Sequence, residues 1–301
     1  MGQRLDNRLK AALWMCGAIA SFTAMAVSGR AIQTELSTFE LMFWRSLIGF
    51  VIIAGIVLVL HRKAPVTLRP VRPGLHAARH LVHFAGQNLW FYGLMLIPLS
   101  QLVALEFTMP IWVALLAPLF LGERFTPTRV LVALIGFAGI LIVARPGTQE
   151  LNIGHLAAMG AAIGFALNLM LTKRIMRDDS VICVLFWMSL SQGILALGLS
   201  LWTGFHWPGA HLWGWLLVIG VTGLSAHYAL TSALALVPAT VVAPMEFFRL
   251  PIISLVGLWL YAEVLDPFVF AGAAVIFLAN WINYRAARHD GAAVALPRQR
   301  L

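Results

Sequence analysis

The apolar residues of this chain come in runs of about 20, separated by short polar breaks, and that spacing limits the fold more than any motif does. A run of about 20 residues is what an α-helix needs to cross about 30 Å of hydrocarbon. Composition removes the alternative of a water-soluble domain. Of 301 residues, 60% are hydrophobic and 11% are charged, against roughly 25% charged in an ordinary soluble domain. Transmembrane barrels show short segments of alternating hydrophobicity, and the sequence does not. The fold class that follows is an all-α polytopic membrane protein.

The runs predict ten transmembrane helices: 11–29, 39–60, 74–96, 100–121, 129–145, 154–173, 181–203, 211–234, 240–261 and 268–284. The third is the most polar, with "HAARHLVHFAGQN" inside it. The loops are short and leave no room for a catalytic domain. Residues 1–10 and 289–301 are expected to be cytoplasmic tails, and no cleavable signal peptide is expected before the first run. With the N-terminus inside, sixteen of the 21 Lys and Arg residues fall on inner segments. Only Arg30 and Arg145 fall on outer ones, and Arg45, Arg79 and Arg249 lie within spans. This is a strong positive-inside bias, which eight or nine spans would scramble. It places both termini in the cytoplasm of a bacterial-type inner (plasma) membrane. The net charge of +9 then reflects topology and anionic lipid and requires no nucleic-acid partner. Cys16 and Cys183 both fall within spans, so no disulfide, metal or other cofactor is expected.

The sequence is written twice. At a shift of 140, Pro98 meets Pro238, Glu106-Phe107 meets Glu246-Phe247, Glu123 meets Glu263, and Pro127 meets Pro267. At a shift of 143, Gly17 meets Gly160, Phe22 meets Phe165, and Phe43-Trp44 meets Phe186-Trp187. Each half, 11–147 and 148–288, holds five spans. An odd number forces the second half to enter the membrane from the opposite side. Two inverted five-helix repeats of this kind recur in secondary transporters, with the solute bound near the midplane between them.

The sequences "LGERFTPTRVLVALIGFAGILIVARPG" and "LYAEVLDPFVFAGAAVIFLANW", each closing a five-helix half, resemble the drug/metabolite transporter superfamily. More narrowly they are similar to its ten-helix exporters built from two EamA-type domains. Gly122-Glu123 matches the family pattern; in the second half Ala262 stands where the glycine before Glu263 would be. The resemblance implies outward movement of small organic metabolites by alternating access, with aromatic and other apolar amino acids as the nearest cargo class. The expected partners are a small-molecule solute and lipid, and a monomer is expected to suffice. A membrane-embedded enzyme and a channel are the rival classes. Signature motifs of intramembrane hydrolases and a P-loop are missing from the sequence.

Two acids stand inside hydrocarbon. Glu106 lies about six residues into the fourth span and Glu246 about six into the ninth, each about 9 Å deep from opposite faces. A carboxylate there lines a water-filled cavity or gate, carries a coupling proton, or pairs with an arginine. Arg249 is at i+3 from Glu246, and Arg45 lies near the depth of Glu106. Pro110 and Pro251 remove helical donors to the carbonyls of Glu106 and Phe247, which predicts breaks beside both acids that serve as packing kinks or as hinges. In the third span His76, His80, His83 and Gln87 share one face, with Arg79, Asn88 and Trp90 nearby. The expected cavity lining is Met25, His83, Gln87, Trp90, Asn168, Ser225, His227 and Tyr228. Gly160 and Gly164 carry a close-packing spacing.

Overall fold

In the computed structural model the described residues are 2–62, 66–121, 127–145, 152–236 and 245–289. They form helices α1 (Gly2–Ile32), α2 (Thr38–His61), α3 (Pro73–Leu96), α4 (Leu99–Glu106), α5 (Met109–Leu121), α6 (Pro127–Ala144), α7 (Ile153–Ile175), α8 (Val181–Thr203), α9 (Trp213–Leu236), α10 (Arg249–Tyr261) and α11 (Pro267–His289). A 3₁₀ turn at Ala210–Leu212 leads into α9. Among the described residues there is no strand. Gly122, Glu123, Pro238 and the C-terminal tail lie outside the described residues.

Among the described residues, five helical segments suffice by length and composition to cross a membrane: Leu9–Ile32, Thr38–His61, Ile153–Thr172, Val181–Thr203 and Ala210–Leu230. Shorter apolar segments run Leu99–Val113, Val130–Ala144, Arg249–Tyr261 and Pro267–Ile282. The chain is thus an integral membrane protein built from helices. In a medium without water every backbone group must be satisfied internally, which helices achieve by themselves.

Helix ends need other partners, and short polar side chains supply them. Ser37 caps α2 by accepting from the Glu40 amide at 3.3 Å, while the Glu40 carboxylate accepts from the Ser37 amide at 2.8 Å. Asn152 caps α7 through the Gly154 amide at 2.9 Å and also donates to the Leu96 carbonyl at 3.1 Å, which ties α7 to the end of α3. Ser180 caps α8 through the Cys183 amide at 3.2 Å.

The most extensive helix pairs are α1 with α9, α3 with α7, α2 with α8, and α6 with α11. Small residues let these backbones approach. A Cβ on Gly164 would sit 2.9 Å from the Gly86 Cα, so α3 and α7 cross where neither carries a side chain. Likewise a Cβ on Gly272 would sit 2.7 Å from the Gly139 carbonyl oxygen in the α6–α11 pair. Without a hydrophobic force between helices in lipid, such backbone proximity supplies much of the association.

The expected fourth span is interrupted. α4 ends at Glu106, Phe107 and Thr108 form a turn, and α5 begins at Met109. Thr108 folds back, its hydroxyl donating to the Leu105 carbonyl at 2.7 Å, and the Ile111 amide bonds Thr108 rather than Phe107. That leaves the Phe107 carbonyl without a helical donor, and Asn280 of α11 provides one at 3.1 Å. The same turn recurs 140 residues later at Phe247 and Phe248, before α10. Pro110 and Pro251 fall in the first turns of the new helices, where a missing N–H costs little. The rings of Phe107 and Phe247 touch, with centroids 4.4 Å apart, so the two interruptions meet inside the bundle.

One local strain has a sequence origin. Ala262, at the C-terminal cap of α10, adopts φ +52° and ψ +31°, the left-handed region that favours glycine. Replacing Ala262 with Gly should stabilise the protein by about 1 kcal/mol and raise its melting temperature in detergent. An unchanged or lower melting temperature would count against strain at this cap.

Candidate functional site

A polar cluster lies in the middle of the helices, where α2, α3, α8 and α9 converge. Arg45 of α2 donates from Nη2 to Oε1 of Gln87 on α3 at 2.5 Å and to Oε1 of Gln192 on α8 at 3.0 Å. The amide nitrogen of Gln192 bonds Nδ1 of His83 at 2.7 Å, with the imidazole accepting. His227 of α9 faces His83 edge-on at 5.6 Å, and Phe22 of α1 lies 5.8 Å from His227. Phe165 of α7 stands 6.2 Å from His83 on another side. One helical turn before His83, Arg79 donates to the Thr172 hydroxyl at 2.6 Å and to the Met188 sulfur at 3.7 Å. Arg45, Arg79, His83, Gln87 and Gln192 are all buried. The histidine face of α3 thus turns inward, as polar groups in a lipid-embedded helix must.

A second group joins the two interrupted helices. Arg249, the first residue of α10, pairs with Glu106, the last residue of α4, at 2.7 Å. The same carboxylate oxygen accepts the indole N–H of Trp90 at 2.9 Å. The Arg249 guanidinium lies 5.2 Å from the centre of the Phe22 ring and 5.4 Å from that of Phe107, near enough for attraction to both ring faces. Glu246 is half-buried one helical turn before Arg249, close enough to feel both the arginine and Glu106.

Ion pairs close both ends of the bundle. At the end where α1, α3 and α10 finish, Arg30 pairs with Glu263 and donates to the carbonyls of Leu94 at 2.7 Å and Ile97 at 2.8 Å. Glu263 also accepts from the Leu99 amide at 2.9 Å. A surface hollow of about 420 Å³ opens above this knot, lined by residues that include Arg30, Gln33, Pro98 and Glu263. Arg145 pairs with Asp266 between α6 and α11. At the opposite end His76 bonds Asp179 at 2.9 Å, and Asp179 accepts from the Val71 amide at 3.1 Å. The ligand atoms of His76, Asp179 and Cys183 lie within 4.8 Å of one another. His76 bonds Asp179 through Nε2 and the Cys183 thiol donates to the Leu68 carbonyl at 3.5 Å, which latches the start of α3 and the segment before it to the start of α8, while the buried His76 Nδ1 has no hydrogen-bond partner among the described residues.

Of the residues expected to line a cavity, His83, Gln87 and His227 come together, and Met25 and Trp90 are buried beside them in the core. Asn168 projects a buried Oδ1 that has no hydrogen-bond partner among the described residues. Ser225 bonds Ser21 of α1 at 3.1 Å. Tyr228 is not brought to it: the side chain is 52% exposed and packs edge-on against Trp14 at 5.7 Å. Two arginines also choose partners other than those their positions suggested. Arg45 takes two glutamines instead of Glu106, and Arg249 bonds Glu106 across the bundle instead of Glu246 on its own segment. Gln192 was missed, although "SLSQG" is the one strongly polar stretch in its span.

The Glu106–Arg249 pair should be visible in stability. Breaking a buried pair leaves a lone charge and costs about 3–5 kcal/mol. Glu106→Gln and Arg249→Gln should each lower the melting temperature, and the double variant should lose less than the two losses added. Additive losses would show that the two groups do not act as a pair.

The EamA-like transporter family matches residues 9–145 and again residues 152–285. An S-adenosylmethionine uptake transporter of Rickettsia felis is 28% identical over 282 residues, covering 93% of this chain and 94% of that protein. A riboflavin transporter of Brucella anthropi is 30% identical over 274 residues, covering 88% and 95%. A riboflavin transporter of Vibrio cholerae is 27% identical, covering 93% and 96%. One crystal structure, 18% identical, agrees in fold with a TM-score of 0.64 over 93% of this chain and 98% of its own. The resemblance carried by the two EamA-type closing segments is therefore a kinship of the whole chain, and a transporter is the class to which these relatives point, not an enzyme. The chain belongs to the EamA-like transporter family.

Proposed function

We propose that the protein is a secondary transporter that moves a small organic solute across a bacterial inner membrane by alternating access between two inverted halves. The observation that carries the reading is the buried Arg45–Gln87–Gln192–His83 cluster, a set of polar groups with no structural need in an apolar bundle and with aromatic rings on two sides. Pockets of this make-up, apolar with a few convergent polar groups, are what small solutes require.

The packing supports the inverted arrangement. Exchanging the first five spans with the second five turns the α1–α9 pair into the α7–α3 pair, and maps α2–α8 and α6–α11 onto themselves. The contact between Phe107 and Phe247 falls where an axis relating the halves would pass. Ten spans, with both termini cytoplasmic, fit the sixteen-to-two distribution of basic charge. The knot around Arg30 and Glu263 then closes the outer mouth, and the latch around His76 and Asp179 lies at the inner one.

Arg249 is the natural switch. In the conformation described it bonds Glu106 of the first half. Glu246, three residues before it, offers an alternative carboxylate when α4 and α10 separate. A bistable ion pair of this kind biases two packings without a continuous deformation.

The resemblance implied export of amino acids. The relatives are named for S-adenosylmethionine and riboflavin, and those in Rickettsia for uptake. Both solutes carry a planar nitrogen heterocycle joined to a hydroxylated five-carbon sugar unit, a ribose ring in one and an open ribityl chain in the other. The rings of Phe22, Phe165, His83 and His227 offer faces for such a heterocycle, and the two glutamines offer hydrogen bonds. We therefore read the cargo as a heteroaromatic solute and the direction as inward.

Purified protein in liposomes, tested by counterflow with labelled S-adenosylmethionine, riboflavin and free amino acids, should give saturable, trans-stimulated flux of a heteroaromatic solute above that of amino acids. Gln192→Ala should lower that flux about tenfold, the loss expected for one hydrogen bond to a charged network. Flux that does not saturate would indicate a channel. Preference for free amino acids would overturn the cargo class.

A further inference from the structure

The buried arginines are unequally provided for. Arg249 pairs with Glu106, and the Glu246 carboxylate lies near enough to act on its charge. Arg45 and Arg79 have only neutral partners, and no Asp or Glu bonds either of them among the described residues. Arginine stays charged in such a place, and a cation held in hydrocarbon normally pairs. One turn separates their contacts on α8, with Met188 meeting Arg79 and Gln192 meeting Arg45.

Beside Arg45 there is a small void of about 10 Å³, room for about one water molecule. Its wall includes Arg45 and Ser46 of α2, Ser189 and Gln192 of α8, and Gly220 and Gly223 of α9. No acid lines it. The Arg45 Nε and the Ser46 hydroxyl are buried and have no hydrogen-bond partner among the described residues. A cationic N–H and a hydroxyl are thus left unsatisfied at one spot, with a second hydroxyl, that of Ser189, on the same wall.

We propose that this void is the subsite for a carboxylate carried by the transported solute. A guanidinium N–H and two hydroxyls stand at this wall, and a carboxylate accepts from such donors in the geometry that a guanidinium matches best. Arg79 adds a second positive charge nearby. Gly220 and Gly223 let α9 pack directly against the side chains of Ile48 and Arg45 on α2, so the space widens for the group when α2 and α9 part. In the packing seen here the space is no larger than one water molecule. The proposal rests on the transport reading and sharpens it, favouring a carboxylate-bearing cargo such as S-adenosylmethionine over riboflavin, which has none.

The test uses matched probes on the purified full-length protein. Indole-3-acetate and indole-3-acetamide share a heteroaromatic ring and differ in the anionic group. The acetate should raise the melting temperature at concentrations about tenfold lower than the amide requires. Arg45→Gln should abolish that difference, and Arg45→Lys should restore part of it. Should Arg45→Gln fail to fold, Gly49→Ala serves instead. Its new Cβ would sit 3.5 Å from the Ser189 hydroxyl, ordinary contact that fills the void without forcing its walls. It should keep the wild-type melting temperature and lose the preference for the acetate. Equal stabilisation by acid and amide in the wild type, or a preference untouched by Arg45→Gln and Gly49→Ala, would overturn the subsite. Counterflow separates this from the wider reading. Flux without a carboxylate preference removes the subsite and leaves the transporter. An Arg45-dependent carboxylate preference without saturable flux of any solute does the reverse.

Discussion

The ion pair between Glu106 and Arg249 is the interaction on which the interior depends. It sits where both interrupted helices turn, and each partner begins or ends one of them. Charge and backbone needs are solved together there. The carboxylate takes the arginine and the Trp90 indole, the guanidinium lies near the rings of Phe22 and Phe107, and the freed Phe107 carbonyl takes Asn280. An interrupted helix in hydrocarbon persists only when its polar groups find such substitutes. The turns at Phe107 and Phe247 make the interruptions, the prolines stand in the first turns of the helices that follow, and Asn280 satisfies the Phe107 carbonyl that the first turn leaves open.

The rest of the architecture places the buried polar cluster around Arg45 beside this joint. Trp90 and Gln87 are neighbours on α3, so the helix that holds Glu106 from one side carries the Arg45 cluster on the next turn. Phe22 does the same from α1, lying against Arg249 and against His227. A solute that reorganises the Arg45 cluster therefore acts on the same two helices that brace the ion pair. At the ends, the Arg30–Glu263 knot ties α1 and the end of α10 to the end of α3, and the His76–Asp179 contact ties the start of the same helix to the segment before α8.

Much of this was legible in the sequence. Runs of apolar residues located the helices, because a membrane leaves the backbone few alternatives. The matched Glu-Phe dipeptides and nearby prolines foretold interruptions at corresponding places, and the turns at Phe107 and Phe247 are there. The inward histidine face of α3 followed from its spacing. Pairing did not follow. Arg249 lies three residues from Glu246 in sequence, yet it reaches Glu106 because the turn before α10 rotates the side chain across the bundle. Arg45 shares the depth of Glu106 but faces α8, where Gln192 competes for it. Tyr228 is polar enough to suggest a cavity, but its phenol ring is amphipathic and tolerates the exposed flank of α9 against Trp14. Depth can be read from a chain; azimuth around a helix depends on neighbours that only the fold supplies.

The central claim is that Arg249 exchanges between Glu106 and Glu246 as access alternates. Spin-label distances across the two mouths, one pair spanning the Arg30–Glu263 end and one spanning the His76–Asp179 end, test it most directly. The account predicts that Glu106→Gln and Glu246→Gln move the two distance distributions in opposite senses, each variant favouring the state in which Arg249 bonds the remaining acid. Distances unchanged from the wild type in both variants, with only thermal stability reduced, would mean that the acids are structural pairs and that the switch lies elsewhere.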